Sequence, residues 1–412
     1  MNMIVLFCGW RLDNYDFGWI NKEKIKICAV INSEFYNSTS KTSLEKCDDV
    51  IIVENYTSIG HIYESDFEEV TQKIDKVLLK YNINSIKVAC CYEGDVSLSC
   101  KVREYFSSSG MGYNDSLLFR DKEKTKEFLN REGINVPKFI KIDVMKLIED
   151  FNYFNSIEKH LALPFIIKPT SSGGGYGVYK ITSYEDIVEL KNQLTNDIHL
   201  NYEAEEFLVG DLYHCDIIIK NSNMVFSECS IYNHQYFGFE KHTVIGSAPL
   251  DDNNAEKTQI IDFCKIIIEK IGAFDGSYHC EVYKNADKIT FLELGARPAG
   301  ALIMQMYELM YGINFLDFNL AVQSGLDYPY SISRKYYAGW AAFCNYAPIK
   351  LKKIYSFTDG PEVDAKWHYE VGDCVNTHSL IGSILYKHKQ CDLVQKVNSE
   401  MKKFHPFDGE LL

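Results

Sequence analysis

Gly276-Ser277-Tyr278-His279-Cys280-Glu281-Val282-Tyr283-Lys284 is followed, after a short polar break, by Ile289-Thr290-Phe291-Leu292-Glu293-Leu294-Gly295-Ala296-Arg297. Both halves are β-compatible and flank a turn signal, so the stretch reads as one hairpin. With Ala286-Asp287-Lys288 as a three-residue turn, Glu281 pairs with Glu293, and Cys280, Val282, Leu292 and Leu294 share the opposite, apolar face. Like charges directly opposed across strands repel, so a cation is expected between the two carboxylates. Oxygen ligands favour a hard ion, and Mg²⁺ shared with substrate phosphates is the natural choice. A solvated strand pair carrying unpaired acids is the alternative.

Outward from the hairpin, 412 residues exceed one ordinary core, and 46% hydrophobic content supports several packed units. A net charge of −14 with no offsetting block of Lys and Arg argues against nucleic acid or an anionic membrane surface as partner. The thirteen cysteines are scattered, with one adjacent pair, Cys90-Cys91, and no Cys-x-x-Cys, which reads as buried thiols in a reducing, cytoplasmic setting. The opening Met1-Asn2-Met3-Ile4-Val5-Leu6-Phe7 lacks a basic lead and reads as a first strand rather than a signal peptide. No apolar run reaches the length of a membrane span.

Residues 1–118 alternate short apolar runs, Ile4 to Cys8, Ile25 to Ile31, Val50 to Glu54 and Ile86 to Cys91, with helix-compatible stretches such as Phe67 to Lys80. That alternation predicts a doubly wound parallel sheet. Gly9-Trp10-Arg11-Leu12-Asp13 after the first strand is not the Gly-rich dinucleotide turn, which disfavours a nicotinamide-dependent oxidoreductase. A charged helix begins at Asp121 and stops at Gly133, and Phe165 to Lys168 reads as a strand. Glu205 to Leu208 reads as an acidic-apolar connector, Asp216 to Lys220 and Val225 to Ile231 as paired strands, and Ile260 to Ile271 as a helix leading into the hairpin. Beyond about residue 330 come short strands and one helix, Cys391 to Phe404.

Four glycines fall within five positions in Ser172-Gly173-Gly174-Gly175-Tyr176-Gly177. Unshielded backbone N–H groups there suit phosphate oxygens, and a plain surface hairpin is the alternative. Lys168 ends an apolar strand just before, where a buried ammonium needs an anion. Neither a Walker A motif nor a kinase catalytic loop is present.

Asp121-Lys122, Ile167-Lys168 before the Gly-rich turn, Glu205-Glu206-Phe207-Leu208, Glu281, and Glu293-Leu294-Gly295-Ala296-Arg297-Pro298-Ala299-Gly300 follow one another in an order that resembles the ATP-grasp superfamily, most nearly its carboxylate–amine ligases of the L-amino acid ligase type. The resemblance implies an α/β fold with α+β lobes: a pre-ATP-grasp parallel-sheet domain at 1–118, a small lobe with the Gly-rich flap at 119–204, a large lobe with the metal site at 205–330, and a C-terminal extension at 331–412. It implies that Lys122 and Lys168 meet ATP phosphates while Ser172, Gly173, Gly174, Gly175 and Gly177 fold over them. Glu205, Glu206, Phe207 and Leu208 form the hinge, Glu206 and Leu208 presenting backbone groups to adenine. Glu281 and Glu293 hold Mg²⁺, and Arg297 faces the reacting carboxyl group. Two positions depart from the pattern. Gly295 stands where many relatives have a metal-binding Asn, and Leu212 stands where others have a ribose-binding acid, which leaves Asp211 or Asp216 for that role.

The activity so implied is ATP-dependent activation of a carboxylate as an acyl phosphate and its ligation to an amine, with Lys168 and Arg297 as catalytic cations. Substitution of Glu293 or Lys168 is expected to stop ADP formation and leave the fold intact. The same motifs serve ligation to a carrier-protein thiol, a biotin-dependent carboxylase subunit, or a nucleotide-binding scaffold without turnover. A homodimer is the default assembly. Three further groups carry two readings each. His234, Lys241 and His242 belong to a loop that either reaches substrate or is plain surface. Glu93 lies at the ligand-binding edge of the parallel sheet or caps a helix. His279 is solvated or bonds a metal ligand from behind, since Mg²⁺ prefers oxygen.

Overall fold

The computed structural model describes every residue except 1, 61, 235–243, 287, 346, 356–361 and 377–378. The first four predicted strands form one parallel sheet in the order Asp49–Val53, Ile25–Asn32, Asn2–Phe7, Ile86–Cys90. Their inner residues are continuously apolar because helices cover both faces. Helix Phe67–Tyr81 starts where the Asp66 side chain accepts the Glu69 N–H and stops where Asn82 turns left-handed.

A second sheet, in the order Phe139–Ile142, Tyr202–Glu206, Phe165–Pro169, Tyr179–Ile181, is antiparallel throughout. Glu205 and Glu206 therefore lie in a strand, not in the connector expected of them. The third sheet has eight strands, running from Lys288–Gly295 and Gly276–Asn285 through Asp211–Lys220, Asn223–Tyr232 and Val244–Pro249 to Tyr337–Cys344, Leu380–His388 and Glu362–Trp367. Three strands from beyond residue 330 thus extend the sheet that carries the glutamate hairpin, so the chain's last segment shares a framework with the preceding one.

In the hairpin, Glu281 faces Glu293, as the alternation requires, but the route differs. Asn285 pairs with Lys288, leaving two residues between them rather than three, and a β-bulge after Glu281 restores the register. Phe291, not Leu292, therefore joins Cys280, Val282 and Leu294 in the core, while Leu292 packs with the cluster around Met306 and Phe318.

All thirteen cysteines are free thiols, ten of them buried. Among the described residues, no helix is long and apolar enough to cross a membrane.

Asp95, behind the first sheet, is 3% exposed and accepts the Ser65 N–H at 3.2 Å. Burial pushes its carboxyl up to about 7. An unfolded aspartate ionises near 3.9, so between about pH 4 and 7 the folded chain holds a proton that the unfolded chain has lost, and stability falls as pH rises through that window. Asp95→Asn should remove that fall. Urea midpoints at pH 4.5 and 8 should show the variant gaining on the wild type at the higher pH, and an equal offset at both would contradict it.

Candidate active site

Lys122 opens the helix Lys122–Arg131, with Asp121 as its cap accepting the Lys124 N–H. Its ammonium lies 3.1 Å from a Glu293 oxygen and donates to the Ser172 carbonyl, and its backbone N–H donates to Thr170 O at 2.9 Å. The helix start, the hairpin and the Gly-rich loop thus meet at one side chain.

Gly174, Gly175 and Gly177 have positive φ, which L side chains resist. Gly173 is small for another reason: a Cβ there would sit 2.7 Å from Ile62 Cδ1 and 3.2 Å from a Glu93 oxygen. The loop therefore lies against the N-terminal domain, and the Ser172 hydroxyl donates to Tyr176 O at 3.1 Å.

Glu93 follows the last parallel strand, and its side chain caps no helix. One oxygen accepts Arg120 at 2.9 Å, and the other accepts both Nε, at 2.8 Å, and NH2 of Arg297. Burial opposes ionisation here, yet the Arg297 and Arg120 guanidiniums hold Glu93 down to about 2. Arg297 is thereby fixed in direction by a residue 204 positions away.

Lys168 is buried, and its partners were not all legible. It donates to Glu205, and the fully buried Lys126 binds Glu203 and, at 2.7 Å, Glu205. Glu205 ionises low against the cost of burial because Lys126 and Lys168 flank it, whereas burial raises Glu203. The Glu205 side chain is thus a lysine anchor rather than a hinge contact. Nor is the Glu206 N–H free for adenine, since it donates to Lys138 O at 2.9 Å. Phe207 lies under the Lys180 ammonium at 4.3 Å, and Leu208 packs on the large-lobe core.

Behind Glu281 lies a second buried network. His214 Nδ1 donates to Asp216 at 2.7 Å, His279 Nδ1 donates to its other oxygen at 2.8 Å, and the Tyr307 hydroxyl donates at 2.6 Å. His214 Nε2 reaches the Ser247 hydroxyl at 2.8 Å. Asp216 is fully engaged and leaves the list of ribose candidates; Asp211, exposed at the start of the same strand, stays on it. His214, Asp216 and His279 bring three ligand atoms within 4.8 Å of one another, but these hydrogen bonds already occupy them.

His279 Nε2 faces Glu281 at 3.5 Å, and Glu281 also accepts the Tyr232 hydroxyl at 2.7 Å. Against the effect of burial, Asp216 and Glu281 raise His279 to about 10. The opposed glutamates each have a donor in hand, Lys122 for Glu293 and His279 with Tyr232 for Glu281. Their donor set, carboxylate oxygens on facing strands, suits a hard divalent cation. His234 is half-buried just beyond Tyr232; Lys241 and His242 lie outside the described residues.

A family profile described as D-Ala D-Ala ligase C-terminus matches residues 128–315. An L-arginine-specific L-amino acid ligase of Bacillus subtilis is 25% identical over 229 residues, 54% of this chain and 53% of that protein, so the chain spans about half the length of this relative. The crystal structure of an L-amino acid ligase from Bacillus licheniformis superposes with a TM-score of 0.73 at 15% identity, over 100% of this chain and 98% of the other. A biotin carboxylase domain dimer from Hydrogenobacter thermophilus, solved with MgADP and bicarbonate, gives 0.63 at 13% identity, over 99% and 90%.

Proposed function

We propose that this chain, similar in fold to an L-amino acid ligase and matched over residues 128–315 by the D-Ala D-Ala ligase C-terminus profile, is an ADP-forming ligase of ATP-grasp type that joins a carboxylate to an amine. The carrying observation is convergence: Lys122 links Glu293 to the Gly-rich loop, and Glu93 links that loop's neighbourhood to Arg297. These contacts bring Glu93, Lys122, the Gly-rich loop, Glu293 and Arg297 together from distant segments of the chain. Similarity to L-amino acid ligases at the level of sequence supports amino acids as substrates.

In the proposed reaction a carboxylate oxygen attacks the γ-phosphorus in line, the bond to the β-phosphate oxygen breaks, and ADP leaves. Lys168, aimed by Glu205, and Lys122 neutralise phosphate oxygens. Mg²⁺, when held by Glu281 and Glu293, supplies charge neutralisation across the phosphates. An amine then attacks the acyl carbon, Arg297 stabilises the oxyanion, and phosphate departs. The loop from Ser172 to Gly177 excludes water that would hydrolyse the acyl phosphate.

Each of these cations rests on an acid: Lys122 on Glu293, Lys168 on Glu205, Arg297 on Glu93. Nucleotide binding therefore exchanges partners rather than filling a bare cationic pocket.

The test is a matrix of amino acids and small carboxylates with ATP and Mg²⁺, read first as phosphate release and then by mass for the condensed product. Amino-acid-dependent phosphate release with a dipeptide-mass product is expected. Turnover only with bicarbonate and biotin would assign a carboxylase instead, and nucleotide binding with no ADP release across the panel would assign a scaffold. The dimeric relative makes a homodimer the assembly to seek by sedimentation.

A further inference from the structure

We infer that the seam between the N-terminal sheet and the large lobe holds a second binding site, for a small carboxylate-bearing molecule, built on Arg103. A cavity of about 200 Å³ opens there, lined by Lys87, Ser99, Arg103, Ser109, Ser277 and Gln323 among others. None of Lys122, Lys168, Glu281, Glu293 or Arg297 lines it.

Arg103, on helix Val96–Tyr105, is 6% exposed. Its guanidinium meets only neutral groups. Nε and NH2 donate to Val88 O at 3.2 and 3.1 Å, NH2 also donates to Gln323 Oε1 at 3.1 Å, and NH1 has a thiol sulfur, Cys100 Sγ, at 3.2 Å. Arg120, Arg297 and Arg334, by contrast, each lie on a carboxylate. A buried cation without an anion is costly, and sulfur is a weak acceptor, so the NH1 edge retains donor capacity towards a ligand. Lys87, with its ammonium 3.0 Å from Ser109 Oγ and no carboxylate partner among the described residues, adds a second positive charge at the rim. Gly110 lies over Arg103, where a Cβ would come within 3.0 Å of Cδ and Nε. The acid in the lining, Asp275, already accepts the Asn221 N–H at 2.7 Å.

Two cations, one of them a planar fork, and three serine hydroxyls suit a carboxylate. The walls continue into the proposed catalytic site: Ser277 and Tyr278 lead into His279 and Glu281, Ala296 precedes Arg297, and Gln323 donates to Cys90 O at 2.9 Å in the strand that leads to Glu93. A ligand here bridges the parallel-sheet domain and the sheet that carries the glutamate hairpin.

The test titrates wild type, Arg297→Gln, Arg103→Gln and Lys87→Glu with sodium acetate, sodium glutamate and sodium phosphate at constant ionic strength, by calorimetry and thermal shift. Saturable binding of acetate or glutamate that survives Arg297→Gln and weakens at least about tenfold in Arg103→Gln and Lys87→Glu is expected. Lys87→Glu leaves Arg103 in place, so the test stands even if Arg103→Gln fails to fold. No saturable carboxylate binding, binding of phosphate alone, or binding lost in Arg297→Gln and unchanged in Lys87→Glu overturns the inference.

Discussion

Glu293→Gln should lower ADP formation by more than about 100-fold, since partners outside a metal's coordination shell already cost about 10–100-fold when removed. The fold should survive. The Glu293 side chain is 35% exposed, its ion pair among the described residues is with the largely buried Lys122 at 3.1 Å, and a glutamine there keeps a carbonyl oxygen to accept from that ammonium. Glutamine keeps the shape of the side chain and the strand register opposite Glu281. What it removes is one of two facing carboxylates, and with it half of the proposed receptor for a divalent cation. Phosphate release and the urea midpoint, measured together, separate the two effects, and near-normal turnover would remove the site as drawn.

Lys126→Met should have the largest effect on stability, about 3–5 kcal/mol, the range for breaking a buried ion pair from one side. Lys126 is 0% exposed and sits between Glu203 and Glu205, with its ammonium also 4.9 Å from the Phe139 ring centre. Without it two buried glutamates share Lys168 alone. Against a total of about 5–15 kcal/mol, the variant should unfold at much lower urea. Adding Glu203→Gln should recover part of the loss, because the acid left without its cation is then neutral. Full stability of Lys126→Met, or no recovery in the double variant, would show that the quartet does not act as a unit. The same geometry corrects the expectation for Lys168→Ala: it removes the proposed phosphate contact and also uncovers Glu205, so lost turnover would be mixed with lost stability.

Glu203 and Lys126 had signals that went unused. Lys126 stands four residues after Lys122, on the same helix face, and Glu203 stands two before Glu205, on the same strand face. His214 with Asp216, and His279 with Glu281, repeat the strand pattern on adjacent strands. Each pairing is visible in periodicity. That the faces meet is not, because it depends on how separate sheets close on one another.

Strand alternation, the hairpin that carries Glu281 and Glu293, the parallel first sheet and the order of the Lys122, Lys168 and Gly-rich segments were determined by the sequence alone, since period is set by neighbours along the chain. The bulge that moves Leu292 out of the core, the engagement of Asp216 by two histidines and a tyrosine, and the burial of Glu205 between two lysines were decided only by tertiary structure. A buried charge takes its partner from whatever the fold brings within about 3 Å, and here those partners come from as far as 204 residues away.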